Sequence, residues 1–326
     1  CLHLTIYLRS KSMMFVKKNK YFILGIFLLL SLVAYSFYEF YNEYFSYRNT
    51  YYKIEDICYK KGKLDNEICK YFRTDSDVLR YLHNNNPNAK WKSYDAITLT
   101  STIVETTSFS CLQFFSPLII AILLIGKLHD EYSSGMFENY LLRMNYKKYL
   151  KNKYKEVFNV SLVMPITLLL IFFISCIVTG FNFDYSNIDK QLSVYSDFKY
   201  NHFIIYGTLI CFIQFFISWF YSNIALFFLK KHKNKLVAIV MSYVGFLMIY
   251  LFIYVVFYCL VLNKLFGIKE MTDYFSITGY WFFEDGAKSY IALIVSIVLQ
   301  IISSIIIFCS YKSKNGVIMA YEKQTS

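Results

Sequence analysis

Proline is nearly absent from this chain, with 3 residues in 326, and glycine is scarce at 11. Those counts exclude collagen-like repetition and Pro/Gly-rich disorder. Charge is thin as well. Only 17% of residues are Asp, Glu, Lys or Arg, where a soluble domain carries about a quarter, so a surface wholly in water is not supported. Two chemical signatures are missing too: no Gly-x-x-x-x-Gly-Lys-Ser/Thr phosphate loop occurs, and no His-Glu-x-x-His pair. The chain therefore shows no recognisable nucleotide site and no zinc-protease motif. What it has in abundance is apolar residues, 56%, and aromatic ones, 21%. That is the composition of a chain in lipid.

A hydrocarbon core about 30 Å thick needs roughly 20 apolar helical residues. Six runs free of Asp, Glu, Lys and Arg come near or exceed that length: 21–38, 106–126, 157–183, 200–229, 236–263 and 289–311. They predict membrane helices over 21–38, 102–126, 157–181, 202–229, 236–263 and 289–311. The runs lack the alternation of barrel strands, so an all-α membrane protein with six transmembrane helices is expected.

Basic residues orient the helices, because Lys and Arg in short loops stay in the cytoplasm. Residues 1–20 carry Arg9, Lys11, Lys17, Lys18 and Lys20, and Lys230, Lys231, Lys233 and Lys235 fill the connection between the fourth and fifth spans. With the 127–156 loop and the 312–326 tail, this side holds 19 basic against 5 acidic residues. Both termini are thus predicted to be cytoplasmic. Residues 39–101 then form an extracytoplasmic subdomain and 264–288 an outer aromatic segment. The net charge of +12 is accounted for by topology and anionic membrane lipid, and nucleic acid is not implied.

The chain opens on Cys1, with Met13 and Met14 just before the basic cluster, so residues 1–12 are expected to over-extend the native start. No small-residue cleavage site follows the first run, which reads as a retained helix and not a signal peptide. Cys111, Cys176, Cys211, Cys259 and Cys309 lie in predicted spans, where thiols act as small apolar residues. Cys58 and Cys69 share the outer loop, around Gly62, Asp65 and Asn66. A local disulfide is one reading and two free thiols in a reducing habitat the other. A metal site has no ligand spacing to support it, and no cofactor is implied. The same loop, with an amphipathic stretch near 76–82, reads as a lid or recognition surface, or as a solvated spacer.

The 127–156 connection differs from the others. Leu128, Tyr132, Met136, Tyr140 and Leu141 form one apolar stripe, and Asp130, Glu131, Glu138, Arg143, Lys147 and Lys148 supply its charged positions. Gly135 can break the segment, which predicts a short helix along the inner surface. Lys147, Lys148, Lys151, Lys153 and Lys155, with Tyr146, Tyr149 and Tyr154 among them, return the chain to the membrane at headgroup level.

At these residues the sequence resembles the permease subunits of the ABC transporter type-2 export family. The pattern stands here as Glu131, Ser133, Ser134, Gly135, Met136, Glu138, Leu141, Leu142, Arg143, Lys147 or Lys148, Tyr149 and Lys153. Met144 departs from it, where the family often has proline. The resemblance implies that Glu131, Gly135, Met136, Glu138, Leu141 and Arg143 belong to a cytoplasmic coupling helix docked on a separate ATPase subunit. It also implies a homodimer or a heterodimer with a second permease in a bacterial plasma membrane. Amphipathic cargo, such as peptides, lipid-linked molecules or drugs, would be exported. It further suggests that the segment before the sixth span re-enters the membrane; Trp281, Phe282 and Phe283 fit that, or an ordinary aromatic belt.

A coupled role also follows from chemistry, since an ion-driven carrier would bury titratable groups at mid-membrane, and none is clearly central; Glu105 and His202 stand at span borders. Gln113, Gln214 and Gln300 line a path or bond between helices. Pro117 and Pro165 flank the coupling segment as hinges or as static kinks. A membrane enzyme needs clustered catalytic groups, but His3, His83, His129, His202 and His232 are scattered. The competing expectation is a polytopic sensor or anchor with an extracytoplasmic binding domain.

Overall fold

A computed structural model describes residues 20–55, 96–133, 145–183, 202–253, 255, 286–312 and 318. The described chain is all helical, with no strand, in eight α-helices: α1 (Lys20–Glu55), α2 (Ala96–Glu105), α3 (Thr107–Ser133), α4 (Tyr146–Ser161), α5 (Val163–Val178), α6 (Phe203–Lys231), α7 (Lys235–Phe252) and α8 (Gly286–Tyr311). Six stretches are long and apolar enough to cross a membrane, with α4 and α5 together making one of 33 residues. By length and composition this is a multi-pass membrane protein.

Helix α3 is the core. Of its most apolar stretch 72% is buried, against 22% for those of α1, α7 and α8. It packs on α1, α2, α4, α6 and α7, while α6 touches α3, α4, α5, α7 and α8. In lipid no hydrophobic force draws helices together, so close backbone approach matters. Glycine supplies it where α1 meets α3: a Cβ on Gly126 would stand 2.6 Å from the Cβ of Tyr21, and one on Gly25 2.7 Å from Leu123. The remaining apolar faces look outward. Ile294, Ile301, Ile305 and Ile306 of α8 are all about half exposed or more, which suits contact with lipid tails.

The two prolines have different outcomes. Proline cannot donate to the carbonyl four residues back, and its ring crowds that carbonyl. At Pro165 the helix breaks: α4 ends at Ser161, Leu162 sits at φ −74°, ψ −13°, and α5 begins at Val163. At Pro117 α3 runs through without interruption. There the Ser116 hydroxyl donates to the Gln113 carbonyl at 2.7 Å, answering the oxygen that Pro117 leaves without its helical partner.

Helix α1 continues to Glu55, past the apolar run that ends at Tyr38. Helix α2 is separate from α3, and Thr106 joins them: its hydroxyl donates to the Ile103 carbonyl at 2.7 Å and accepts from the Phe109 N–H at 3.3 Å. Thr106 thus closes one helix and caps the next.

Candidate functional site

The α3–α4 connection leaves the bundle at an end rich in lysine. Glu131 lies in the last turn of α3, and Asn145 caps α4 by accepting from the Lys147 N–H at 3.3 Å. Gly135, Met136, Glu138, Leu141 and Arg143 fall in 134–144, outside the described residues, as do Cys58, Cys69 and the 76–82 stretch. What the structure places is the attachment of this connection at both ends.

On the α3 side, Lys127 Nζ lies 2.5 Å from the Glu156 carboxylate of α4. His129 Nε2 donates to the Lys233 carbonyl in the α6–α7 turn at 2.9 Å. That turn is short because Asn234 caps α7 at once, accepting from the Leu236 N–H at 2.9 Å. On the α4 side, the Tyr146 hydroxyl donates to the Tyr311 carbonyl at the end of α8 at 2.5 Å. The Tyr311 hydroxyl in turn donates to the Leu226 carbonyl of α6 at 3.0 Å. Lys230 completes the clasp: its ammonium donates to the Ser310 carbonyl at 2.5 Å and stands 5.3 Å from the Tyr311 ring centroid. The last carbonyls of a helix have no intrahelical partner and carry partial negative charge, so a cation and a hydroxyl are suited to them. Lys235 of α7 lies 4.0 Å above the ring of Tyr21 at the start of α1. Side chains thus bring together the start of α1, the end of α3, the start of α4, the α6–α7 turn and the end of α8.

At the other end the pairing is reversed in sign. Glu39 of α1 accepts from the Ser108 N–H at 2.9 Å and from the Ser108 hydroxyl, at the first turn of α3. The Asn182 carbonyl accepts from the Ala96 N–H at 2.8 Å, tying α5's end to α2's start. Gly180 and Phe181 allow this with positive φ of 63° and 59°, while the Phe181 N–H returns to the Cys176 carbonyl at 2.7 Å. Glu39 carried no role from sequence; its signal was that it ends the first apolar run.

Among the polar residues predicted within spans, Gln300 bonds inside its own helix, its Nε2 donating to Ser304 Oγ at 3.1 Å. Asn223, which sequence reasoning passed over, bonds between helices. Its Nδ2 donates from α6 to Ser303 Oγ at 2.8 Å and Ser304 Oγ at 3.0 Å of α8. Gln113 and Gln214 are buried in α3 and α6. Cys111, Cys176, Cys211 and Cys309 are free thiols. Among the described residues no group of His, Cys, Asp and Glu is placed to hold a metal ion.

No family model matches the chain, and no curated protein or solved structure matches it.

Proposed function

We propose that the chain is the permease subunit of an ATP-driven transporter of the type-2 export class, worked by a separate ATPase that grips the α3–α4 connection. In this reading the cross-tied end and both termini face the cytoplasm of a bacterial cell, and the residues between α1 and α2 stand outside. Two such subunits, identical or related, enclose a path for amphipathic cargo. The observation that carries the reading is the attachment of both flanks of 134–144. A displacement of that segment is passed to the α6–α7 turn through His129 and to the end of α8 through Tyr146. Leu162, which stays in helical conformation, links the lysine-bearing α4 to the apolar α5, so a displacement of α4 reaches the membrane span.

The test is purification of the tagged full chain from native membranes in mild detergent, with mass spectrometry of what accompanies it. A phosphate-loop ATPase is expected at stoichiometric yield, and Glu131→Arg or Gly135→Pro should remove it while the permease remains monodisperse. A stable chain that comes without an ATPase and binds a ligand through its outer loop overturns the proposal in favour of a sensor or anchor.

A further inference from the structure

We infer that the exposed face of α4 is a docking surface for anionic phospholipid headgroups. Lys147, Lys148, Lys151 and Lys155 form this face, and all are exposed. Their spacing of three to four residues places them on one side of a helix. Carried forward, the same spacing reaches Phe158, 43% exposed, and then, past Leu162, Ile166, Leu169, Phe173 and Ile177, each 49% to 56% exposed. The lysines therefore stand above the lipid-facing stripe of the span. They stand at the end of that stripe, where the hydrocarbon gives way to the membrane's surface layer.

Length fixes the depth. The 33 residues of α4 and α5 extend about 50 Å at 1.5 Å per residue, whereas the hydrocarbon core is about 30 Å thick. About 20 Å is left over for the headgroup layer, and that surplus is the lysine-bearing part of α4. Lysine suits the position, since its stem can lie along apolar surface while the ammonium reaches the phosphates.

Charge selects the occupant. The first turn of α4 holds no acidic residue, and it carries Lys147 and Lys148 where a helix N-terminus disfavours cations. The Glu156 carboxylate is engaged by Lys127. Among the described residues no ion pair neutralises the four lysines, so like charges crowd together at a depth where the available anions are lipid phosphates. This inference does not depend on the permease reading.

The experiment reconstitutes the full chain in bilayers of phosphatidylcholine containing spin-labelled phosphatidylglycerol or spin-labelled phosphatidylcholine, and compares the motionally restricted fractions. The anionic label should be preferred by roughly fivefold for each lysine engaged, and the preference should shrink in high salt. Replacing all four lysines by glutamine should remove most of it. A quadruple arginine variant should keep it, and Lys151→Gln/Lys155→Gln should remove part of it if the quadruple glutamine variant fails to fold. An unchanged preference in the glutamine variants overturns the inference. So does loss of an acidic protein partner from those variants while the lipid preference stays intact.

Discussion

At one end of the bundle Lys230 and Tyr146 donate to the last carbonyls of α8; at the other, Glu39 accepts from the first N–H groups of α3. Both are answers to the same difficulty. A helix terminus near lipid exposes backbone groups that water serves poorly, and each such group costs free energy unless another helix supplies a partner. The sign of the partner follows the helix dipole, a cation for the C-terminus and an anion for the N-terminus. The difference lies in extent. The lysine end joins five chain segments through side chains, whereas at the Glu39 end one carboxylate ties α1 to α3 and one carbonyl ties α5 to α2.

The largest effect is expected from attacking backbone approach at the lysine end. In Gly126→Val the new side chain meets Tyr21 at its Cβ, which cannot swing away, so α1 must shift from α3. Overpacking of this kind costs about 1–3 kcal/mol, and thermal unfolding in detergent should move down clearly. Gly207 near the opposite end of α6 is the control: a Cβ there meets nothing within 4 Å, and Gly207→Ala should hold or slightly raise the midpoint.

Next come the charged partners. Lys230→Met leaves the Ser310 carbonyl without its cation, and Glu39→Leu leaves the α3 terminus without its anion. Both side chains are partly open to solvent, so each of these bonds contributes about 1 kcal/mol, and each variant should melt somewhat earlier than wild type. Equal losses would mean that the wider network at the lysine end adds nothing beyond its strongest bond. A neutral Lys230→Met would break the comparison outright.

Tyr146→Phe is milder. It retains the ring, which lies stacked 5.9 Å from Tyr149, and removes only the hydroxyl that holds α8. Interhelical bonds in membranes average below about 1 kcal/mol, so stability should fall slightly. If the permease reading holds, ATP hydrolysis by the bound partner should lose its response to cargo, because the path from the connection to α8 is cut.

Much of the fold was legible because bilayer thickness imposes one rule on every span. The six apolar runs became six membrane-length stretches, and Pro165 marked the place where α4 and α5 part. What the rule cannot see is what happens beyond the apolar run. Charge at Glu39 ended the run but not the helix, which continues to Glu55. Nor could residue type alone separate Pro165 from Pro117, where the Ser116 hydroxyl serves the freed Gln113 carbonyl. The lysine cluster was visible as composition. Its clasp was not, because Tyr146 and Tyr311 are 165 positions apart and Lys230 and Ser310 are 80 apart. Asn223 was missed for a similar reason: its role exists only once α8 lies alongside.

The smallest expected effect tests whether the lysine end depends on ion pairs at all. Lys127 and Glu156 are in direct contact, yet their side chains are 45% and 26% exposed, and an ion pair open to water contributes about 0.2–1 kcal/mol. A double-mutant cycle with Lys127→Ala and Glu156→Ala should therefore give a coupling near the bottom of that range, vanishing in high salt. A coupling well above it would mean that the pair is screened from water in the folded protein. The comparison would change with that result: the lysine end would be held by a buried pair.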